Sequence, residues 1–387
     1  MIPYGRQDIS QADIDAVIET LQSDFLTQGP AVERFETALT DYCGAAFAVA
    51  VNSATSALHI ACLALELGPG DLLWTSPITF VASANCALYC GADVDFVDID
   101  PATFNMCPRA LERKLETAQA AGRLPKVIVP VHMTGQSCDM AAIAALARKY
   151  GVRVIEDASH AIGGHYLGAP VGNCAHSDIT VFSFHPVKIV TTAEGGAAMT
   201  NDAGLAERLR LFRSHGITRD PRLMTHAPDG PWYYQQVELG YNYRITDLQA
   251  ALGVSQMARV DDYVTRRHAI ADRYDTLLAD LPVLTPLRHP DGRSALHLYV
   301  IRLAPEALER PGHRAVFEGL RARGVGVNLH YIPVHTQPYY SKFGFAQGDF
   351  PAAEAYYASA ISLPMFPTLS EDDQRRVVDA LKDTLAA

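Results

Sequence analysis

Between residues 45 and 201, short apolar runs alternate with stretches of helical spacing, a pattern that few folds accept. The runs "AFAVAVN" (46–52), "DLLWTSP" (71–77), "DVDFVDID" (93–100), "KVIVPVH" (126–132), "VRVIEDA" (152–158), "DITVFSF" (178–184) and "GGAAMTN" (195–201) read as strands. Between them, "TSALHIACLALELG", "FVASANCALYCG" and "DMAAIAALARKYG" carry helical spacing, the last opening on Asp139 and closing on Gly151. Parallel strands need crossover connections, so this alternation predicts an α/β fold with a mostly parallel sheet covered by helices. A second regime starts at Thr246, where "TDLQ" has the form of a capping box and helical periodicity runs on to about Leu281. Pro282, Pro286 and Pro290 then punctuate a loop. Beyond it lie a strand in "LHLYVIRL", a helix in "HRAVFEGLRARG", a strand in "VGVNLHY" and a last helix capped by Ser370. We expect an N-terminal arm and large domain over 1–255 and a small C-terminal α/β domain over 256–387.

Composition narrows the function. The chain has 387 residues, 49% hydrophobic and 19% charged, which supports a sizeable core and argues against disorder. A net charge of −11 disfavours a partner with a phosphate backbone, so no nucleic acid is expected. No signal peptide or membrane-length apolar run is visible, and the seven scattered cysteines form no C-x-x-C pair. These features lead us to expect a cytoplasmic protein without membrane contact.

The stretch "DITVFSFHPVKIVTTAEGG" (178–196) carries the sharpest chemical signal. It leads a lone Lys188 out of an apolar run and follows it with small polar residues. Lysines commonly sit at strand ends in water; alternatively, this one is held dry for amine chemistry. Asp157 closes another apolar strand, where open α/β sheets bind ligands, although a lone "ED" pair is more often two solvated loop acids. "VNSATSALH" (51–59) is a strand, a small-residue turn and a helix start, which suits an anion and equally an ordinary cap. Phe80 follows another strand, where an aromatic is usually core. Together these residues complement one molecule, pyridoxal 5′-phosphate. Its aldehyde needs an amine, its ring nitrogen a carboxylate, its phosphate N–H donors and its ring an aromatic face.

The ordered motifs "FLTQGPAVERFE", "NSATSAL", "TSPITFVASANCA", "PVHMTGQSCDM", "VIEDASHAIGG", "FSFHPVKIVTTAEGG", "GYNYRITDLQAALG", "VNLHYIPVH" and "SLPMFP" span nearly the whole chain. They resemble the DegT/DnrJ/EryC1/StrS sugar-nucleotide aminotransferases of fold type I, and within them the branch that serves pseudaminic acid synthesis. The resemblance implies that Lys188 carries the cofactor covalently and is the acid–base catalyst. It implies that Asp157 partners the ring nitrogen, Phe80 stacks on the ring, and His160 flanks the ring and its 3′-oxygen. Ala54, Thr55 and Ser183 fall at phosphate-cup and nearby sugar-contact positions; many relatives have glycine in place of Ala54. Asn242 matches a residue that reaches into the partner's site across a homodimer interface. Tyr4, Asp24, Phe25, Leu26, Thr27, His330, Tyr331, Ile332 and Pro333 match sugar-nucleotide contacts. The implied substrates are a UDP-linked 4-keto-6-deoxy N-acetylhexosamine and L-glutamate. In dehydratase relatives a histidine replaces the lysine, so Lys188 favours transamination. A metal-dependent hydrolase built on "HYIPVH" is disfavoured, because Pro333 breaks the helix that an H-E-x-x-H site needs.

Overall fold

The computed structural model describes residues 1–386. All seven apolar runs form strands: β1 (Phe47–Val51), β2 (Leu72–Thr75), β3 (Asp93–Phe96), β4 (Val127–Val129), β5 (Arg153–Asp157), β6 (Ile179–Ser183) and β7 (Gly196–Thr200). They make one sheet in the order β1-β7-β6-β5-β4-β2-β3, in which only β7 runs antiparallel to its neighbours. Alternate residues point to opposite faces, and both faces are covered. Val49 and Val51 of β1 pack with α3 (Ala54–Ala64) and α4 (Ala82–Tyr89), while Ala48 and Ala50 pack with α2 (Pro30–Cys43). Burial on both sides is why six of these strands read as apolar runs, whereas the edge strand β3 alternates Asp93 and Asp95 with the buried Val94 and Phe96.

The helix between β4 and β5 (Met140–Tyr150) starts on the Asp139 cap and ends at Gly151, whose φ of 69° a side chain would strain. Thr246 forms the expected capping box with Gln249. The long helix expected beyond it is two helices, Asp247–Met257 and Val260–Leu277, divided at Ala258–Arg259. At the division Gln256 and Arg259 turn to the N-terminal segment, where both bond the buried Asp13 and Gln256 also bonds the Asp8 carbonyl. Tertiary partners far away in sequence therefore override local periodicity.

The second of these helices serves two cores. Its Val260, Tyr263 and Val264 join the core beneath the large sheet, and its Ile270, Ala271 and Tyr274 join the C-terminal core. That C-terminal core rests on a small antiparallel sheet of Val283–Leu284, Tyr299–Leu303 and Ala360–Leu363. The strand expected in "VGVNLHY" is absent as a continuous ladder; Val325 bridges to Ile2 and Asn328 to Ser362 only at single points. Ile2 itself is buried in the C-terminal core. Among the described residues no helix is long and apolar enough to cross a membrane.

Candidate active site

A cavity of about 510 Å³ opens at the carboxyl ends of the parallel strands, within the size range of small-molecule sites. Its walls include Ser53, Ala54 and Thr55 after β1, Thr79 and Phe80 after β2, Asp157 at the end of β5 with His160 beyond it, and Ser183 at the end of β6 with Lys188 beyond it. Tyr4, His330 and Tyr331 close it from the C-terminal side. A second groove of comparable size, lined by Glu33, Glu36, Arg210 and Arg213, has no lysine and pairs Arg213 with Glu36 at 2.6 Å.

Burial takes Lys188 down from the ordinary lysine range to about 8, against the opposing pull of the Asp157 charge. In cofactor-free protein, acetylation of Lys188 by a small anhydride should therefore reach half its maximal rate near pH 8. The free amine is the reactive form, so the rate rises with pH through that value, whereas exposed lysines keep rising towards about pH 10.4. Peptide-resolved acetylation across pH 6–11 checks this; a half-maximum shared with exposed lysines would contradict it.

Asp157 and Glu156 are both buried, so the solvated-loop-acid reading of "ED" does not hold. Glu156 points away from the cavity and accepts from His132 Nε2 at 2.7 Å. The Cys138 N–H donates to His132 Nδ1, which fixes the proton on Nε2. Asp157 lines the cavity; its Oδ1 accepts the Ser159 N–H and its Oδ2 the Ser83 hydroxyl.

Three imidazoles surround the amine. Burial, and then the charge of Lys188, push His160 and His330 well below the usual histidine range, His330 to about 3. His297, whose ring is tilted against that of His160 with centroids 4.5 Å apart, is lowered chiefly by burial. All three are neutral at pH 7. The Tyr331 phenol is held protonated by burial and the Asp157 charge, and lies 3.1 Å from His160 Nε2. His160 Nδ1 is buried without a partner among the described residues, which leaves it for a bound molecule.

The first turn of α3 is held against β7. A Cβ on Gly196 would sit 2.5 Å from the Ala54 nitrogen, so only glycine allows this approach. Ser53 caps the helix through the Ser56 N–H, and no described residue accepts the N–H of Ala54 or Thr55. Those two donors and the nearby Ser183 hydroxyl suit a phosphate. An amine, a carboxylate, an exposed Phe80 ring, an unpartnered imidazole nitrogen and a donor-lined helix start thus meet in one cavity. They fit pyridoxal phosphate.

A profile of the DegT/DnrJ/EryC1/StrS aminotransferase family matches residues 7–382. The chain belongs to this family. It is a pyridoxal-phosphate-dependent nucleotide-sugar aminotransferase. It is 41% identical to the spore coat polysaccharide biosynthesis protein SpsC of Bacillus subtilis (99% of this chain, 96% of the relative). It is 38% identical to a Campylobacter jejuni UDP-4-amino-4,6-dideoxy-N-acetyl-beta-L-altrosamine transaminase (98% and 96%). Helicobacter pylori PseC, an aminotransferase of pseudaminic acid biosynthesis, superposes with a TM-score of 0.90 at 32% identity, covering 100% of this chain and 99% of PseC. The PLP-form of Spr1654 from Streptococcus pneumoniae superposes with a TM-score of 0.89 at 30% identity, covering 100% and 98%.

Not every residue named from the sequence reaches the cavity of this aminotransferase chain. Asp24, Phe25, Leu26 and Thr27 are exposed outside it, with Thr27 bridged to Thr246. Asn242 is exposed beside Ser214, and Ile332 and Pro333 follow the cavity wall without lining it. Reading the sequence missed His185 and Glu194 at the cavity, Asn328, and the supporting Ser83 and His297. His185 and Glu194 flank Lys188 in the same motif and could have been found there. His297 lies in the apolar run just before the strand Tyr299–Leu303 and gives no signal.

Proposed function

We propose that this aminotransferase moves an amino group from L-glutamate to C4 of UDP-2-acetamido-2,6-dideoxy-β-L-arabino-hexos-4-ulose, in pseudaminic acid synthesis. The observation that carries the reading is the full-length likeness to both the Campylobacter transaminase and PseC. The higher identity to a spore coat polysaccharide protein supports a second reading, C4 or C3 amination of another nucleotide sugar.

When bound, pyridoxal phosphate supplies an electron sink and a temporary carrier for the amino group. We assign Asp157 to its ring nitrogen, Phe80 to its ring face, His160 Nδ1 to its 3′-oxygen, and Ala54, Thr55 and Ser183 to its phosphate. Lys188 is the only amine among the described residues lining the cavity, and we assign it the covalent attachment. Nζ, lowered to about 8, gains and loses a proton near neutral pH, as an acid–base catalyst must. We assign Tyr4 and His330, whose rings lie 5.6 Å apart in the cavity wall, to the sugar. A cytoplasmic location is part of this reading, since nucleotide sugars are its substrates.

The same reading includes a homodimer with shared sites. Ile14, Ile18 and Leu21 form an exposed apolar stripe on the helix Gln11–Leu21, and exposed Phe25 and Leu26 continue it. The Thr27–Thr246 bridge brings this surface beside the segment that carries Asn242. Mixing inactive Lys188→Ala with inactive Asn242→Asp protein should restore activity, because one hybrid site is intact. Proven subunit exchange without recovery would reject the shared site.

The substrate assignment is tested by side-by-side kinetics with glutamate and a panel of UDP-, GDP- and dTDP-ketosugars. The β-L-arabino ketosugar should exceed its D-xylo epimer in kcat/KM by roughly 100-fold or more, since unmatched polar groups are strongly rejected. Preference for the D-xylo compound would move the chain to the second reading.

A further inference from the structure

The carboxylate of Asp157 is held from behind by a line of hydroxyls. Ser83 Oγ lies 2.6 Å from Asp157 Oδ2, and Thr79 Oγ1 lies 2.7 Å from Ser83 Oγ. Thr79 is 2% exposed, Ser83 is fully buried and Asp157 is 4% exposed. The direction of the line follows from the chemistry. An ionised carboxylate only accepts, so Ser83 donates to Asp157, and the Ser83 oxygen then accepts the Thr79 proton. The short Ser83–Asp157 distance is that of a charge-assisted bond.

We propose that Ser83, oriented by Thr79, is a positioning residue that fixes the charged carboxylate of Asp157 in place for the cofactor. The inference rests on the assignment of Asp157 to the ring nitrogen. Asp157 Oδ1 takes the backbone N–H of Ser159 at 3.1 Å, so its place is set by the main chain. Oδ2 has Ser83 as its only partner among the described residues. Without that hydroxyl, the outer oxygen of a buried carboxylate has no donor, and both its charge and its rotation lose support. The geometry also explains an economy in the loop after β2. Thr79 and Ser83 are one helical turn apart, and the Ser83 N–H bonds the Phe80 carbonyl. One turn thus presents Phe80 to the cavity while its other side restrains Asp157.

The test compares Ser83→Ala, Ser83→Thr, Thr79→Val and Asp157→Asn as holoenzymes. Ser83→Ala should lower kcat by about 10- to 100-fold, the equivalent of one hydrogen bond to a charged group, with KM for the sugar nucleotide nearly unchanged. It should also shift the cofactor absorption band and release the cofactor faster on dilution, two readouts independent of turnover. Ser83→Thr should recover most of the loss, and Thr79→Val should show a smaller loss of the same kind. Wild-type kcat and absorption in Ser83→Ala, beside a crippled Asp157→Asn, would overturn the proposal and leave the Asp157 assignment standing. Wild-type behaviour of Asp157→Asn would overturn both. A lower melting temperature of Ser83→Ala without cofactor, with kcat per folded enzyme intact, would make Ser83 a packing residue and overturn the proposal as well.

Discussion

Lys188→Ala is expected to lower turnover by about ten-thousand-fold or more while the protein still binds pyridoxamine phosphate. The substitution removes the only amine among the described residues at the cavity, and with it both the proposed attachment point and the proton carrier. The His185 side chain is about half exposed to solvent, 48%, and His160, His297 and His330 are all held neutral, so none is placed to take over an amine's role. Single-turnover spectroscopy with pyridoxamine phosphate separates binding from chemistry. Residual turnover within tenfold of wild type would show that the proton moves by another group.

The second large effect falls on Asp157. Asp157→Asn is expected to keep the fold and lower kcat by roughly 100- to 1,000-fold, the scale seen when one preorganised electrostatic partner is removed from a site. The amide is the same size; its one carbonyl oxygen can still accept the Ser159 N–H while its NH2 donates to the Ser83 oxygen, whose proton turns to Thr79, so packing is preserved. What it lacks is the negative charge that we assign to the ring nitrogen. Steady-state kinetics, with melting temperature as a control on folding, measure the difference. Near-normal kcat would reduce Asp157 to a structural acid.

Much of this was legible in the sequence for a physical reason. Six of the seven strands of the large sheet are buried on both faces and are written as apolar runs, whichever way their side chains point; the edge strand β3 instead alternates Asp93 and Asp95 with buried Val94 and Phe96. Lys188 and Asp157 stand out because they interrupt such runs at the ends where ligands bind. The helix break at Ala258–Arg259 was hidden because its cause, the pull of Asp8 and Asp13 on Gln256 and Arg259, lies more than two hundred residues upstream. The alternation in "VGVNLHY" suggested a strand, but its neighbours in space are Ile2 and Ser362, which meet it only at isolated bridges. Ser83 looked like one more small residue in a helix, because nothing local shows that it faces a carboxylate from another strand. Asp24 to Thr27 and Asn242 were named through the family resemblance alone, and a single chain leaves them on its surface.

The most direct test is borohydride reduction of the cofactor-loaded enzyme, followed by proteolysis and mass mapping of the pyridoxyl label. The label should lie on Lys188 in the peptide that contains "FSFHPVK", and it should be absent from Lys188→Ala protein. A label on Lys149 or Lys126 instead, or stoichiometric labelling that survives Lys188→Ala, would contradict the account.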